Sequence, residues 1–119
     1  MSAGSQAKRR YLEEQVASLS PVQILIRVYD VAIVSCARGD RQKVRQALVQ
    51  LIASLNFEYR DISLGLFRLY NYCLRQIQVG RLDEVNRVLS GLRDAWVEAE
   101  PKLREATVAL DRRGERSTR

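Results

Sequence analysis

Side chains able to carry out catalysis are scarce in this sequence. It contains no histidine, so the most frequent general base and the histidine-activated Ser or Cys nucleophiles are absent. Two carboxylate pairs, Glu13-Glu14 and Asp83-Glu84, resemble an acid–base dyad, but adjacent residues on a helix do not face each other. Asp83-Glu84 instead suits the first turn of a helix, where negative charge is stabilised by the helix dipole.

The remaining reactive groups also favour a structural interpretation. Cys36 and Cys73 form no CxxC motif and fall at apolar positions of predicted helices, as is typical of buried thiols in a reducing compartment. No metal-ligand cluster, P-loop or GxSxG motif is present. We therefore expect no enzyme, no metal and no cofactor. A small helical enzyme of the chorismate mutase type stays an alternative, but it needs inward-facing arginines, and the arginines here lie on polar strips.

The elements that position these side chains are all predicted to be helices. Apolar residues recur every three or four positions in four segments, and no strand-like alternation competes with them. The predicted bounds are about Pro21–Arg38, Arg41–Glu58, Ile62–Val79 and Leu82–Glu100. Ser20 and Asp40 are expected to cap helix starts, and Gly39, Gly80 and Pro101 are expected to end helices.

Very short connections at Gly39-Asp40 and Gly80-Arg81 predict antiparallel neighbours. The expected fold is thus an all-α, antiparallel up-and-down four-helix bundle, with an N-terminal arm and room for a short fifth helix over Leu103–Arg113. We expect three regions: residues 1–19 as a flexible basic terminus and apolar arm, 20–100 as the bundle, and 101–119 as a short helix and basic tail.

The first predicted helix is more apolar than a bundle requires. One stripe, which includes Tyr29, Ala32 and Cys36, suffices for the core, yet Ile24, Val28 and Val31 form a second stripe. Two interpretations stay open. The N-terminal arm covers the second stripe, or a partner protein docks on it, since an exposed apolar patch of this kind promotes association.

The positive charge lies at the two ends of the chain. The net charge is +6, with 20 basic and 14 acidic residues among 119. Residues 1–10 and 101–119 carry +3 each, whereas residues 11–100 contain 11 basic and 11 acidic residues. A nucleic-acid-binding domain normally carries its basic footprint on a folded face, so we expect no nucleic-acid partner. No stretch approaches the roughly 18 apolar residues of a membrane span, and no membrane insertion is expected.

Three groups of residues follow one another along the chain and together form a recognisable pattern. The first is Tyr11 and Val16, then Ser20-Pro21, Leu25-Ile26, Tyr29-Asp30 and Ala32. The second runs from Leu66 through Leu69-Tyr70-Asn71-Tyr72-Cys73-Leu74. The third comprises Asp83, Glu84-Val85, Leu89, Leu92 and Ala95-Trp96. Together these groups resemble the flagellar secretion chaperone family FliS, and the resemblance covers roughly residues 11–99. It departs at Val31, where the family commonly has glycine, and at Val79-Gly80, where Ala-Asn is usual.

The resemblance implies a cytoplasmic chaperone that binds the C-terminal segment of flagellin. Binding would prevent premature polymerisation and present flagellin to the export gate of the flagellar type III secretion system. Such a protein needs no catalysis, and a monomer or weak homodimer is expected. The partner would dock in the helix-in-groove mode, ordering as it binds.

The expected flagellin-binding residues combine the second apolar stripe with positions of the resemblance. The mobile arm would contribute Tyr11, Leu12 and Val16, and the first helix Ile24, Ile26, Val28, Tyr29 and Val31. The third helix would contribute Leu69 and Tyr72. Core packing explains Tyr29 and Leu69 equally well. Two rivals remain: a helical adaptor for another protein, and a nucleic-acid binder that uses the basic ends and loses affinity steeply with salt.

Overall fold

A computed structural model describes residues 6–7 and 20–117 of the chain, with side chains placed through residue 103. Within this part the fold is all-α, without strands, as predicted. Gln6 and Ala7 are helical. The helices that follow are α1 (Pro21–Ala37), α2 (Arg41–Ala53), α3 (Arg60–Gln78) and α4 (Leu82–Ser117).

The start of α1 is a reciprocal capping box. Ser20 Oγ accepts a hydrogen bond from the backbone N–H of Gln23 at 3.2 Å, and Gln23 Oε1 accepts one from the N–H of Ser20 at 2.9 Å. Pro21 occupies the first helical position, where its missing N–H has no helical partner to lose. The predicted N-cap is confirmed, because these signals act over only four residues.

Glycines with positive φ end both α1 and α3. Gly39 has a φ of 71° and Gly80 a φ of 78°, a region that side-chain-bearing residues rarely adopt. In both turns the residue after the glycine donates its N–H to the carbonyl five residues earlier at 2.9 Å, which is the Schellman pattern. After the first turn, Asp40 Oδ1 accepts from the N–H of Lys43 at 3.2 Å and caps α2.

The helix α2 is shorter than its predicted range. It ends at Ala53 instead of Glu58, although apolar residues continue at helical spacing. The hydroxyl of Ser54 donates to the carbonyl of Leu51 at 2.7 Å, and Asn56 Oδ1 accepts from the N–H of Glu58 at 3.0 Å. These local side-chain bonds compete with the helical ladder and produce a turn.

The other two bounds differ as well. Helix α3 begins at Arg60 rather than at Ile62, and α4 passes through Pro101 without ending. Because proline has no N–H, the carbonyl four residues earlier lacks its helical hydrogen-bond donor. Since Pro101 and Val97 are both exposed, water can replace that donor on the solvent side of the helix. The predicted separate helix over Leu103–Arg113 is wrong, because these residues belong to α4.

All four helices contribute side chains to one core. A second layer of half-buried apolar residues packs against the core, and it includes Val28, Tyr72 and Trp96. No helix of the described residues is both long enough and apolar enough to cross a bilayer. The buried core residues are Tyr29, Ala32, Cys36, Val44, Ala47, Leu48, Leu51, Tyr70, Cys73, Ile77, Val85 and Leu89.

The chain divides into two compact units. One unit is Leu25–Glu98, and it contains the whole buried core. The other combines the terminal stretches Met1–Ile24 and Ala99–Arg119. Within this terminal unit, Ser20 Oγ donates a hydrogen bond to Glu100 Oε1 at 3.5 Å.

Replacing Gly80 with alanine is expected to lower the free energy of unfolding by about 1–2 kcal/mol, because alanine must adopt the left-handed φ of the turn. Gly91→Ala is the matched control. Gly91 lies inside α4 with no atom within 4 Å of an added Cβ, so alanine should stabilise the protein by up to about 1 kcal/mol. Urea unfolding followed by far-UV circular dichroism measures both. A stabilised Gly80→Ala protein would contradict the role given to this turn.

Candidate partner-binding surface

The apolar positions of α1 divide into buried, half-buried and exposed sets. Tyr29 is fully buried, whereas Ile26 and Val28 are half-buried. Ile24 and Val31 remain exposed, with 43% and 47% of their surfaces accessible. We call Ile24, Val28 and Val31 the α1 apolar face, because their spacing of four and three residues places them on one side of the helix.

A second apolar surface lies on α3. Ile62, Leu69 and Tyr72 follow one another at seven and three residues and share one side of the helix, here called the α3 apolar face. Ile62 and Leu69 are 64% and 39% exposed, and Tyr72 is half-buried. Gly65, one turn after Ile62, adds no side chain and leaves open space there. The face therefore offers two aliphatic side chains and one ring to a partner.

The Tyr72 ring is fixed by α4. Its hydroxyl donates to Glu84 Oε1 at 2.9 Å, and the same carboxylate accepts two hydrogen bonds from the guanidinium of Arg87, at 2.9 and 2.6 Å. These bonds lower the pKa of Glu84 to about 2, and the bonds from Arg87 have the largest effect. The bond to the carboxylate in turn raises the pKa of Tyr72. The hydroxyl is thus held by a charged network, while the ring is half-buried against the core.

Three aromatic side chains form a hydrogen-bonded network, in which Tyr29 of α1 and Tyr70 of α3 are buried and Trp96 of α4 is half-buried. The hydroxyls of Tyr29 and Tyr70 lie 2.5 Å apart, and the indole N–H of Trp96 donates to the Tyr29 oxygen at 3.2 Å. Burial raises the pKa of both phenols, so they are neutral and can donate as well as accept. Tyr29 is a core residue here and not a surface contact, so its expected direct contact with a partner does not fit this geometry.

The outer side of α1 is tied to α4 by charge. The guanidinium of Arg93 donates to the carboxylate of Asp30, and both side chains are partly exposed. The Asp30 carboxylate raises the pKa of Arg93. Asp30 lies about 160° around the α1 wheel from Val28 and about 100° from Val31, so this ion pair does not lie on the α1 apolar face.

The structure brings together only part of the predicted set. Tyr29 joins Tyr70 and Trp96, and Tyr72 joins Glu84. Within the described part of the chain, no side-chain hydrogen bond links the α1 apolar face to the α3 apolar face. Leu69 is an exposed residue rather than a core one. The predicted arm residues Tyr11, Leu12 and Val16 lie outside the described residues.

Several exposed apolar side chains were missed by the sequence analysis. Ile62 is among the most exposed of them. Phe57 and Phe67 meet edge to face, with ring centroids 6.4 Å apart and an interplanar angle of 69°. Because the second predicted helix extended to Glu58, Phe57 was assigned to a helix and its exposure in a turn was not expected. The signal that could have revealed the turn is Asn56, a residue that favours turns through bonds to its own backbone.

Comparison with known proteins decides the family. The family model described as flagellar protein FliS matches residues 40–103, which is more than half of the chain. The chain belongs to the FliS family. Neither a curated protein nor a solved structure matched the chain.

FliS membership makes the chain a flagellar chaperone in general terms. The matched range contains α2, α3 and the first part of α4, and therefore includes Leu69, Tyr72 and the Glu84 network. It begins after α1, so the FliS match does not extend to the α1 apolar face or to the N-terminal motifs.

The Glu84 network of this FliS protein predicts a pH dependence of stability. The folded-state pKa of about 2 lies below the ordinary 4.5, so the network stabilises the fold above pH 4.5 and loses that effect as the pH falls towards 2. Glu84→Gln is expected to melt at a lower temperature than wild type at neutral pH, and the two should converge in acid. Glu98→Gln, on the same helix and exposed, should track wild type. Parallel curves for Glu84→Gln and wild type at every pH would contradict this.

Proposed function

We propose that this protein is a cytoplasmic flagellin chaperone. It binds the C-terminal segment of flagellin, prevents premature polymerisation and delivers flagellin to the export gate of the flagellar type III secretion system. FliS membership supports the general role, and the residues that face solvent support a protein partner. Delivery requires binding and release only, so the proposal includes no catalytic step and no cofactor.

The proposal rests mainly on apolar side chains that remain exposed outside the buried core. Twelve apolar residues are buried in one cluster, yet Val31 on α1 and Ile62 and Leu69 on α3 remain exposed. Exposed aliphatic side chains at helical spacing are what an amphipathic helical segment recognises. Each buried methylene contributes about 0.8 kcal/mol, so two such faces can offset the ordering of a disordered ligand.

In the proposed complex, the segment contacts Ile24, Val28 and Val31 on the α1 apolar face and Leu69 and Tyr72 on the α3 apolar face. Tyr29 would contribute indirectly, because it is buried and holds the backbone of α1 against α3 and α4. Ile26 lies on the other side of α1 from the α1 apolar face, so its half-buried side chain would make a separate contact with the segment. These assignments rest on exposure, burial and helical spacing.

The helix arrangement and the terminal segments complete the proposal. Two three-residue connections, 38–40 and 79–81, support antiparallel packing of the helices they join. Tyr11, Leu12 and Val16 are proposed to belong to an arm that competes with flagellin, so deletion of residues 1–19 should tighten binding. The protein itself is expected to be a monomer or weak homodimer.

Light scattering of seeded flagellin assembly tests the proposal. An equimolar amount of this protein should suppress filament growth, because bound C-terminal segments are unable to join the filament. Flagellin lacking its C-terminal segment is the control for binding, and it should not co-elute with the protein in size-exclusion chromatography. Unaltered growth with full-length flagellin would reject the function and favour an adaptor for another partner.

A further inference from the structure

Within residues 25–98, α2 is the only helix without an acidic residue. Residues 25–98 contain 11 basic and 8 acidic residues, an excess of +3. Helix α2 holds Arg41, Lys43 and Arg45 and no acidic residue, a net charge of +3, whereas α3 carries +2 and the part of α4 within this range carries −2. The charge of the folded middle is therefore unevenly distributed, and α2 is its most positive helix.

Six side chains of α2 line an open concavity of about 700 Å³, and they define the α2 outer face. The face combines two guanidinium groups, three amides and one aliphatic side chain that is 55% exposed. Its members are Arg41, Gln42, Arg45, Gln46, Val49 and Gln50.

The two arginines of this face lack partners in the described part of the chain. Arg87 and Arg93 on α4 are engaged in salt bridges, whereas Arg41 and Arg45 form none there. Arg41 reaches over the turn between α3 and α4, since a Cβ added to Gly80 would lie 2.7 Å from its Nη2. Arg41 and Arg45 are four residues apart and so lie on neighbouring turns of one face.

We propose that the α2 outer face binds an acidic helical segment of a partner protein, at a site separate from the apolar faces. Carboxylates on successive turns of the partner would each accept from one guanidinium fork, the geometry that arginine favours. The glutamine amides can donate to and accept from polar side chains, and Val49 supplies an apolar contact between the turns. A nucleic acid is disfavoured, because the face carries only two cations and no aromatic side chain for base stacking.

Fluorescence anisotropy with a defined probe tests this site. The probe is a labelled synthetic helical peptide of about 20 residues, with glutamates at i and i+4 on a leucine-containing face. Full-length protein should bind it, and R41Q/R45Q should bind about tenfold more weakly because two charge-assisted contacts are lost. R68Q/R75Q, which removes two exposed cations of α3, is the charge-matched control and should stay within about twofold of wild type.

Three results would overturn the proposal. The first is that the peptide does not bind. The second is that R41Q/R45Q and R68Q/R75Q lose the same amount of peptide affinity. The third is that a single-stranded oligonucleotide of equal charge binds more tightly than the peptide and depends on Arg41 and Arg45 in the same way. Binding of the flagellin segment to R41Q/R45Q separates the two sites. If R41Q/R45Q keeps its affinity for the flagellin segment, the α2 site is distinct. If it loses that affinity, the α2 outer face is part of the flagellin site.

Discussion

Replacing Tyr29 with phenylalanine is expected to lower the free energy of unfolding by about 2–3 kcal/mol. The substitution removes one oxygen but leaves two groups without a partner, the Tyr70 hydroxyl and the Trp96 indole N–H. Tyr70 is 1% exposed, so water cannot readily replace the lost bond. The desolvation cost of an unsatisfied buried group exceeds the value of a single neutral hydrogen bond.

Tyr70→Phe is the matched control for this prediction. Its loss should be nearer 1 kcal/mol, because Tyr29 keeps the bond from Trp96. Urea unfolding can be followed through Trp96, the only tryptophan of the chain. Equal losses for Tyr29→Phe and Tyr70→Phe would show that Trp96 does not belong to the network. Tyr72→Phe, which removes a partly exposed hydroxyl, should cost less than either.

Introducing aspartate at Val31 or Leu69 is expected to weaken binding of the flagellin C-terminal segment about tenfold or more at each site. Either change removes apolar contact area and forces a carboxylate into the interface. Since Val31 is 47% and Leu69 39% exposed in the free protein, the fold should be retained, with an unchanged far-UV circular dichroism spectrum and a thermal midpoint close to that of wild type.

Val49→Asp is the matched control for these two variants. Val49 is an exposed valine of α2 that lies on neither apolar face, so the same chemical change there should leave flagellin affinity within about twofold. Equal weakening by Val49→Asp would show a general effect of charge. Full affinity in both Val31→Asp and Leu69→Asp would place the binding surface elsewhere.

Local features of the fold were readable from the sequence, because they depend on neighbours within a few residues. Ser20 with Gln23, Asp40, and the two glycine turns all act through short-range hydrogen bonds. The end of α2 and the passage of α4 through Pro101 were predicted wrongly. There the outcome depended on competing side-chain bonds and on exposure of the affected carbonyl, which helical spacing alone does not report.

The depth of each side chain was the least predictable property of the site. A helical wheel assigns Val28 and Val31 to one stripe, but only packing reveals that Val28 contacts the core and Val31 does not. The substitution Val28→Asp would therefore test stability as well as binding. Tyr29 is buried through partners 41 and 67 residues away in sequence, which no local pattern could identify.

Isothermal titration calorimetry of the full-length protein with the C-terminal segment of flagellin addresses the chaperone function itself. We expect saturable one-to-one binding with a negative heat-capacity change, since apolar surface on α1 and α3 is buried and the segment becomes ordered. A scrambled segment of the same composition should give no binding heat. The function proposed here is contradicted if the native segment gives no heat at any temperature, or if the scrambled segment binds equally well.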